Sequence, residues 1–254
     1  SGRVDYLCRV AGEFRDFKSD WFLRHARFFQ IGGLGIQLSA DFSLSEAKFS
    51  DAIQKFEVDQ PGEERLIIRL TTQKPDIPLH KLGEKVSSSP PYAIFKQRDS
   101  WVYIGITDNE DDLSDPRMIV LMDERRDKIT IWRDEGFFKD YQFRALTTFA
   151  SDQILLARIF ARHNACYLHS SAIVINGEGY LFVGHSGAGK STMMRMLRDK
   201  GTILCDDRNI IRQWPEGFRV HGTWGHGEFP DVSPESAPLK GIFYLEQANT
   251  NEII

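Results

Sequence analysis

The first 145 residues alternate apolar with polar positions, or hold short apolar runs, between residues that favour turns. This pattern is typical of β-strands, whose side chains point to opposite faces in turn. It predicts strands at residues 6–10, 28–38, 66–70, 92–96, 101–106, 118–122 and 128–132. Short polar turns join the fourth strand to the fifth and the sixth to the seventh. We therefore expect two hairpins and an antiparallel arrangement.

Two stretches of this part lack the strand pattern. Residues 74–91 hold four prolines and the run Ser87-Ser88-Ser89, which predicts a long loop. Residues 108–115 carry five acidic side chains, but they lack the glycine and the final glutamate of a calcium-binding loop. A solvated turn is therefore favoured over a metal site there.

A helical pattern follows at residues 151–162, where Ser151 or Asp152 can provide the N-cap. Apolar residues at spacings of three and four form one face, which consists of Leu155, Leu156, Ile159 and Phe160. Arg158 and Arg162 lie on another side of the helix, and a solvated basic edge is favoured there over a phosphate contact. We place a domain boundary near residue 145, so that residues 1–145 form a β-rich domain of unknown role and residues 146–254 form a second domain.

Composition narrows the class of protein without naming a function. Hydrophobic residues make up 41% of the chain and charged residues 27%, as is ordinary for a soluble globular protein. A net charge of −4 gives no general attraction to nucleic acid or to anionic membranes, so neither is an expected partner. The three cysteines, Cys8, Cys166 and Cys205, are widely spaced and odd in number, which favours a reducing, cytoplasmic setting.

The second half begins with further strand signals. Asn176-Gly177 separates two apolar runs, at residues 172–175 and 180–183, and predicts a hairpin. Residues 202–205 predict a strand that ends at an acid pair. Residues 210–214 and 218–221 predict another hairpin around a proline-containing turn.

The segment Gly184-His185-Ser186-Gly187-Ala188-Gly189-Lys190-Ser191-Thr192 fills the pattern of a glycine, four residues and then Gly-Lys-Ser/Thr. Its context, an apolar strand before it and a helix after it, is that of a Walker A phosphate-binding loop, or P-loop. Glycines let successive backbone N–H groups converge on a phosphate at a helix N-terminus. The residues expected to bind nucleotide are Gly184, Ser186, Gly187, Ala188, Gly189, Lys190, Ser191 and Thr192, with Lys190 on the β- and γ-phosphates and the Ser191 hydroxyl on Mg²⁺.

Two adjacent acids, Asp206 and Asp207, follow Lys190 by 16 and 17 residues and end a predicted strand. One acid could hold Mg²⁺ while the other accepts a proton from an attacking hydroxyl. A cap between strand and turn is the alternative role for the pair. The nearby phosphate-binding loop favours the catalytic role, with ATP and Mg²⁺ as the cofactors.

Residues 165–248 resemble the HPr kinase/phosphorylase group and its relatives of the ATP-dependent phosphoenolpyruvate carboxykinase-like fold. The likeness rests on His169, the phosphate loop (residues 184–192), Asp206-Asp207 and the segment at 222–228. It implies an α/β (α+β) protein, in which the β-rich domain precedes a P-loop kinase domain whose later elements fall beyond Ile254. By this resemblance His169 would lie near the γ-phosphate, and Asp206 or Asp207 would be the general base. Glu228, aligned by its position in the segment, would join Ser191 and Asp207 around the metal.

The expected function is therefore that of an ATP-dependent kinase or transferase, which passes the γ-phosphate to a hydroxyl, chiefly to a serine of a protein or peptide. Two alternatives stay open. One is a carboxykinase-like phosphotransferase acting on a small molecule, and the other is a nucleotide-binding regulatory module without turnover. The sequence also leaves open whether the chain forms a homo-oligomer.

Overall fold

A computed structural model of the protein describes residues 26–60, 62–78, 82–90, 92–98, 100–106, 113, 116–123, 125, 127–140, 142–147 and 152–248. The strand predicted at residues 6–10, the acidic side chains predicted to form a turn, and Ser151 lie outside these residues. Strands hold 47% of the structure and helices 14%. Within the described ranges, no helix combines the length and the apolar composition needed to cross a bilayer.

The elements are named in chain order. The strands are β1 (Arg27–Ile31), β2 (Leu34–Ala40), β3 (Lys48–Phe49), β4 (Glu57–Val58), β5 (Arg65–Thr71), β6 (Glu84–Ser89), β7 (Tyr92–Lys96), β8 (Ser100–Gly105), β9 (Ile119–Asp123), β10 (Lys128–Trp132), β11 (Gln142–Phe143), β12 (Ala165–Ile175), β13 (Glu178–Val183), β14 (Thr202–Cys205), β15 (Arg208–Trp214), β16 (Gly217–His221) and β17 (Ser236–Tyr244). The helices are α1 (Asp51–Gln54), α2 (Glu135–Asp140), α3 (Gln153–Phe160) and α4 (Lys190–Leu197), and 3₁₀ turns at Ala161–His163 and Arg198–Lys200 extend the last two.

The chain divides into two compact units, and the described residues of the first lie within 26–29, 35–48 and 59–142. Seven strands that lie almost entirely in this unit pair side by side in the order β2-β5-β10-β9-β8-β7-β6. The predicted hairpins β7–β8 and β9–β10 are confirmed as antiparallel pairs. The expected antiparallel arrangement holds for these hairpins but not for β5, which pairs in parallel with both β2 and β10. Hairpin signals identify pairs of strands that follow each other in the sequence. The parallel partners of β5 are separated from it by other strands, so these signals cannot reveal them.

Strand positions in the first unit follow the apolar pattern closely. The strands predicted at 92–96 and 128–132 are confirmed without a change of boundary. The single strand predicted at 28–38 is instead two strands, since Gly32 and Gly33 turn the chain with φ of 58° and 75°. The long loop predicted at 74–91 is also wrong in part, because β6 occupies residues 84–89 and pairs with β7. This edge strand is largely exposed, so it needs no apolar alternation.

The described residues of the second unit are Gln30–Leu34, Phe49–Val58, 143–147 and 152–248. Its central strand, β12, pairs along its first half with β15 and along its second half with β13 and β14. Because β13 also pairs with β17, β17 with β16, and β16 with β15, five strands form a closed ring of pairings. Apolar side chains from these strands and from β14 form one core cluster, which contains Ala172, Leu181, Leu204, Ile211 and Val220.

The expected fold class, an α/β (α+β) protein with a β-rich N-terminal domain followed by a P-loop kinase domain, is wrong. The structure is dominated by strands in large sheets and has few helices. In the second unit, consecutive strands are joined mostly by tight turns such as Asn176-Gly177, with φ of 52° and 80°, rather than by helices. The motif at residues 184–192 fixes a local loop and one following helix. It does not determine how the remaining strands pair.

Helices α3 and α4 of the second unit each bury apolar side chains, and for α3 the sequence predicts which ones. In α3, Leu155, Leu156, Ile159 and Phe160 are each at most 1% exposed, which confirms the apolar face. In α4, Met194 is fully buried against Ile173, Phe182 and Ile203. This packing anchors the helix that begins at the end of the phosphate loop.

Candidate functional site

The phosphate loop connects the end of β13 to the first residue of α4. Gly187 and Gly189 have φ of 84° and 104°, which lie in the left-handed region that favours glycine. The N–H of Ala188 donates to the carbonyl of His185 at 3.1 Å, and the N–H of Met193 donates to Gly189 at 2.9 Å. The sequence therefore curls the backbone here because glycine stands at both strained positions.

Lys190 is folded back over this loop. Its Nζ donates to the carbonyl oxygen of Gly184 at 2.9 Å and to that of His185 at 3.1 Å. Only 7% of the residue is exposed. A buried ammonium group that is bonded only to neutral carbonyl oxygens has a strong attraction for an anion placed beside it.

The end of β17 supports the loop from one side. The N–H of Leu245 donates to Val183 at 2.8 Å, and Nε2 of Gln247 donates to the carbonyl of Gly187 at 2.7 Å. A Cβ atom on Gly184 would lie 2.8 Å from Cβ of Ala188 and 3.0 Å from the carbonyl oxygen of Leu245. Sequence reasoning missed Gln247, which lies three residues beyond the end of β17.

The two acids of the pair lie in different environments, and Asp206 is the buried one. Only 3% of Asp206 is exposed. Its two carboxylate oxygens accept hydrogen bonds from the backbone N–H groups of Gly227 at 2.8 Å and Phe229 at 3.0 Å. Its carbonyl oxygen accepts a bond of 2.8 Å from the hydroxyl of Ser171. Asp206 therefore holds the segment at residues 222–229 in place.

Asp207 has the more open environment, with 28% of its side chain exposed. Its Oδ1 lies 3.2 Å from Nε2 of His169 and 2.9 Å from Nη1 of Arg208. The same Nη1 donates to the carbonyl oxygen of Asp207 at 2.8 Å. The structure thus brings together two of the predicted site residues, His169 and Asp207, and adds Arg208, which sequence reasoning missed although it directly follows the acid pair.

His169 lies on β12 opposite Arg208 of β15, and 47% of its side chain is exposed. Burial lowers the pKa of His169, the positive charges of Arg208 and Lys190 lower it further, and the negative charge of Asp207 acts in the opposite direction. The imidazole is therefore biased toward its neutral form. The charge of Lys190 acts on this ring, so the phosphate loop and the His169–Asp207 pair share one electrostatic environment.

The residues expected to hold Mg²⁺ are only partly brought together. Glu228 is 76% exposed on its side chain, and its Oε2 lies 3.4 Å from Nη2 of Arg195. In the part of the chain that the structure describes, no three His, Cys, Asp or Glu side chains form a metal-binding group. Ser191 and Asp207 supply the oxygen atoms that Mg²⁺ prefers, and this ion commonly takes its other ligands from water and phosphate. Ser191 and Asp207 are therefore suitable ligands for Mg²⁺, whereas Glu228 forms an ion pair with Arg195.

The segment at residues 222–229 is fixed by side chains as well as by Asp206. The hydroxyl of Thr223 donates to the carbonyl of Arg208 at 2.6 Å, and Nε1 of Trp224 donates to Oδ2 of Asp152 at 2.8 Å. Asp152 does not cap α3 with its side chain. Its buried carboxylate instead accepts from the N–H groups of Leu146 and Thr147 and from the Thr147 hydroxyl. Burial raises the pKa of Asp152, although these hydrogen bonds oppose the shift.

Residues 141–254 match the family model described as SynChlorMet cassette protein ScmC. The match covers less than half of the chain and includes the phosphate loop, the acid pair and the segment at 222–229. No curated protein matches the chain. The chain is thus similar to ScmC proteins in its C-terminal part, and its chemistry must be argued from the site itself.

Proposed function

We propose that this protein is an ATP-dependent kinase that binds the nucleotide phosphates in the loop at residues 184–192 and passes the γ-phosphate to a hydroxyl group. The main support is the position of Lys190, whose buried ammonium group is bonded, among the described residues, only to loop carbonyls and acts electrostatically on His169. An anion in the loop would gain the charge of Lys190 and the backbone N–H groups at the start of α4.

The acid of the site in this proposal is Asp207. Asp206 has both carboxylate oxygens occupied and is only 3% exposed, so it cannot reach a substrate. Asp207 is exposed enough to contact one, and it is oriented by Arg208 and His169. Asp207 and the Ser191 hydroxyl would hold Mg²⁺, which would neutralise charge on the transferred phosphoryl group. His169 would lie beside that group, as the resemblance to the HPr kinase/phosphorylase group implies.

The acceptor in this proposal is a serine hydroxyl of a protein or peptide, by the same resemblance, with a small-molecule hydroxyl as the other option. We place the activity in the cytoplasm. Cys166 and Cys205 are both free thiols, and Cys166 is exposed, which suits a reducing compartment.

A nucleotide-binding module without turnover is the second candidate function. It is favoured by the pairing of Glu228 with Arg195 and by the full engagement of Asp206, which together leave one predicted carboxylate for the metal. Binding through the loop and Lys190 alone would satisfy this candidate.

The test measures ATP binding and ATP turnover separately. Wild-type protein with γ-labelled ATP and Mg²⁺ is assayed for hydrolysis and for transfer to a mixture of serine-containing peptides. We expect Lys190→Ala to weaken ATP binding by at least tenfold, since one charge-assisted contact contributes about 1.5–3 kcal/mol. Asp207→Asn should weaken ATP binding less than Lys190→Ala does, and it should lower turnover by about 100-fold or more, because the metal loses a charged ligand.

Lys240→Ala is the matched control, because this exposed lysine pairs with Glu178 at 2.8 Å and has no place in the proposed site. Binding of ATP without any hydrolysis or transfer would favour the second candidate. Turnover that survives both Lys190→Ala and Asp207→Asn would contradict the kinase proposal.

A further inference from the structure

A second candidate site lies in a cavity of about 460 Å³ in the second unit. Its walls include Phe56, Trp214, Arg219 and His221, and none of its lining residues belongs to the phosphate loop or to the acid pair. A volume of this size is within the range of small-molecule sites, which begins at about 300 Å³. The polar groups of this cavity decide which ligand it suits.

His221 has an N–H donor for which the described residues offer no acceptor. Nε1 of Trp214 donates to Nε2 of His221 at 3.3 Å. Because an indole nitrogen can only donate, Nε2 must carry the lone pair, and the proton of the neutral ring lies on Nδ1. Only 6% of His221 is exposed, and within the described residues its Nδ1 has no hydrogen-bond acceptor. Burial, with the charges of Arg219 and Arg212, lowers the pKa of His221 to about 4, which agrees with a neutral ring.

Two nitrogen atoms of the Arg219 guanidinium group, Nε and Nη2, are held by hydrogen bonds to Ser236. Its Nη2 donates to the carbonyl and to the hydroxyl oxygen of Ser236, each at 3.0 Å, and its Nε lies 3.4 Å from the same hydroxyl. Across the part of the chain that the structure describes, Nη1 has no protein acceptor. The guanidinium group is therefore held in one orientation and keeps two N–H groups for a ligand.

The remaining walls limit the charge and the shape of the ligand. Half-buried Val58 and Trp214 give apolar surface, and the ring of Trp214 is held against the guanidinium of Arg212 at 4.3 Å. The exposed residues that line the cavity carry charges of both signs, with Lys55 opposed by Glu57 and Glu216. A singly charged planar anion suits one guanidinium group and one neutral N–H donor better than a doubly charged phosphate does.

We propose that this cavity binds a small organic carboxylate. The carboxylate accepts hydrogen bonds from Nη1 of Arg219 and Nδ1 of His221, and the organic part of the ligand packs against Val58 and Trp214. This site is independent of the proposed kinase activity. We therefore expect the Lys190→Ala variant to bind the carboxylate as tightly as the wild-type protein does.

Isothermal titration of the full chain with acetate, benzoate and phenylacetate tests the proposal. Benzamide, which matches benzoate in shape but has no charge, and inorganic phosphate serve as comparison ligands. We expect at least one of the three carboxylates to bind, and benzamide and phosphate to bind at least tenfold more weakly than that carboxylate. Arg219→Met should weaken binding of the carboxylate by at least tenfold, whereas Lys240→Met, outside the cavity, should leave it unchanged.

His221→Phe provides a second variant that removes the donor and keeps a ring, and melting temperatures confirm that each variant is folded. In the wild-type protein, binding should also shift the ¹⁵N resonance of Nδ1 of His221. The proposal is overturned if no carboxylate binds, if phosphate binds as tightly as the best carboxylate, or if neither folded variant weakens binding.

Discussion

Asp206 accepts a hydrogen bond of 2.8 Å from the backbone N–H of Gly227, which lies 21 residues further along the chain. With the second bond from Phe229, this contact uses both oxygens of a carboxylate that is almost fully buried. The adjacent Asp207 instead turns its carboxylate toward His169 and Arg208. These two neighbouring acids look equivalent in the sequence but have different roles. Asp206 stabilises the fold, whereas Asp207 lies where the candidate site is open to solvent.

Replacing each acid should separate these tasks. Asp206→Ala removes the acceptor for two buried N–H groups, so we expect the free energy of unfolding to fall by about 3 kcal/mol. Asp207→Ala should lower it by less than about 1 kcal/mol, because its partners stay in contact with water. Urea unfolding of the two variants measures the difference, and equal losses would contradict the division of tasks.

The stability of the second unit should depend on pH through His221. Burial lowers the folded-state pKa of His221 to about 4, whereas the unfolded value is near 6.5. The unfolded chain therefore binds the proton first as the pH falls. Stability is full above pH 6.5 and decreases toward pH 4, by about 3 kcal/mol in total.

Urea unfolding of His221→Gln at pH 7.5, 6 and 5 tests this dependence. The variant should lose less stability over that range than the wild-type protein does. His226→Gln, which changes an exposed histidine, is the control and should keep the wild-type dependence. If His221→Gln loses as much stability toward pH 5 as the wild-type protein, then another group causes the pH effect.

Trp224 should stabilise the protein through its indole N–H. Trp224→Phe keeps most of the buried ring, which meets Phe56 edge-on at 5.4 Å, but removes the donor to Asp152. A buried carboxylate that loses one donor should cost about 2 kcal/mol in the free energy of unfolding. Tyr244→Phe removes a polar group from an aromatic ring that is 83% exposed and should change it by less than about 0.5 kcal/mol. A similar, small effect of both changes in thermal melting would argue against this role of Trp224.

Gly222 should tolerate no side chain. A Cβ atom there would lie 2.0 Å from the carbonyl oxygen of Ser233 and 2.7 Å from that of Leu204, and both are backbone atoms. We expect Gly222→Ala to destabilise the protein by about 3 kcal/mol or more, because the segment that it begins must move. Gly62→Ala, at a position with open space around it, is the control and should fold normally. Equal melting temperatures for the two variants would show that the segment adapts freely.

The sequence predicted local structure well because local structure has local causes. Strands such as β7 and β10 follow from apolar runs between turns, and the phosphate loop follows from its glycines. The pairing of strands depends on contacts across long separations, so the parallel partners of β5 and the ring of strands around β12 were not foreseen. The predicted fold class is wrong for the same reason, because it infers the fold of a whole domain from one local motif.

The site shows a similar limit. The spacing of Asp206-Asp207 after Lys190 indicated two acids near the loop, but only the three-dimensional contacts distinguish them. Asp152 looked like a helix cap because it precedes an apolar helix, whereas its carboxylate reaches Trp224, 72 residues away. No pattern within a short window carries information about a hydrogen bond of that separation.

The shared position of β12 has a consequence for how the second unit opens. Over Ala172–Val174 this strand is flanked by β13 on one side and by β14 on the other, so its amides face neighbouring strands rather than water. Fluctuations that fray a single edge cannot expose them. In hydrogen–deuterium exchange these amides should therefore be among the slowest of the chain, and their rates should report the global unfolding of the unit that holds the phosphate loop.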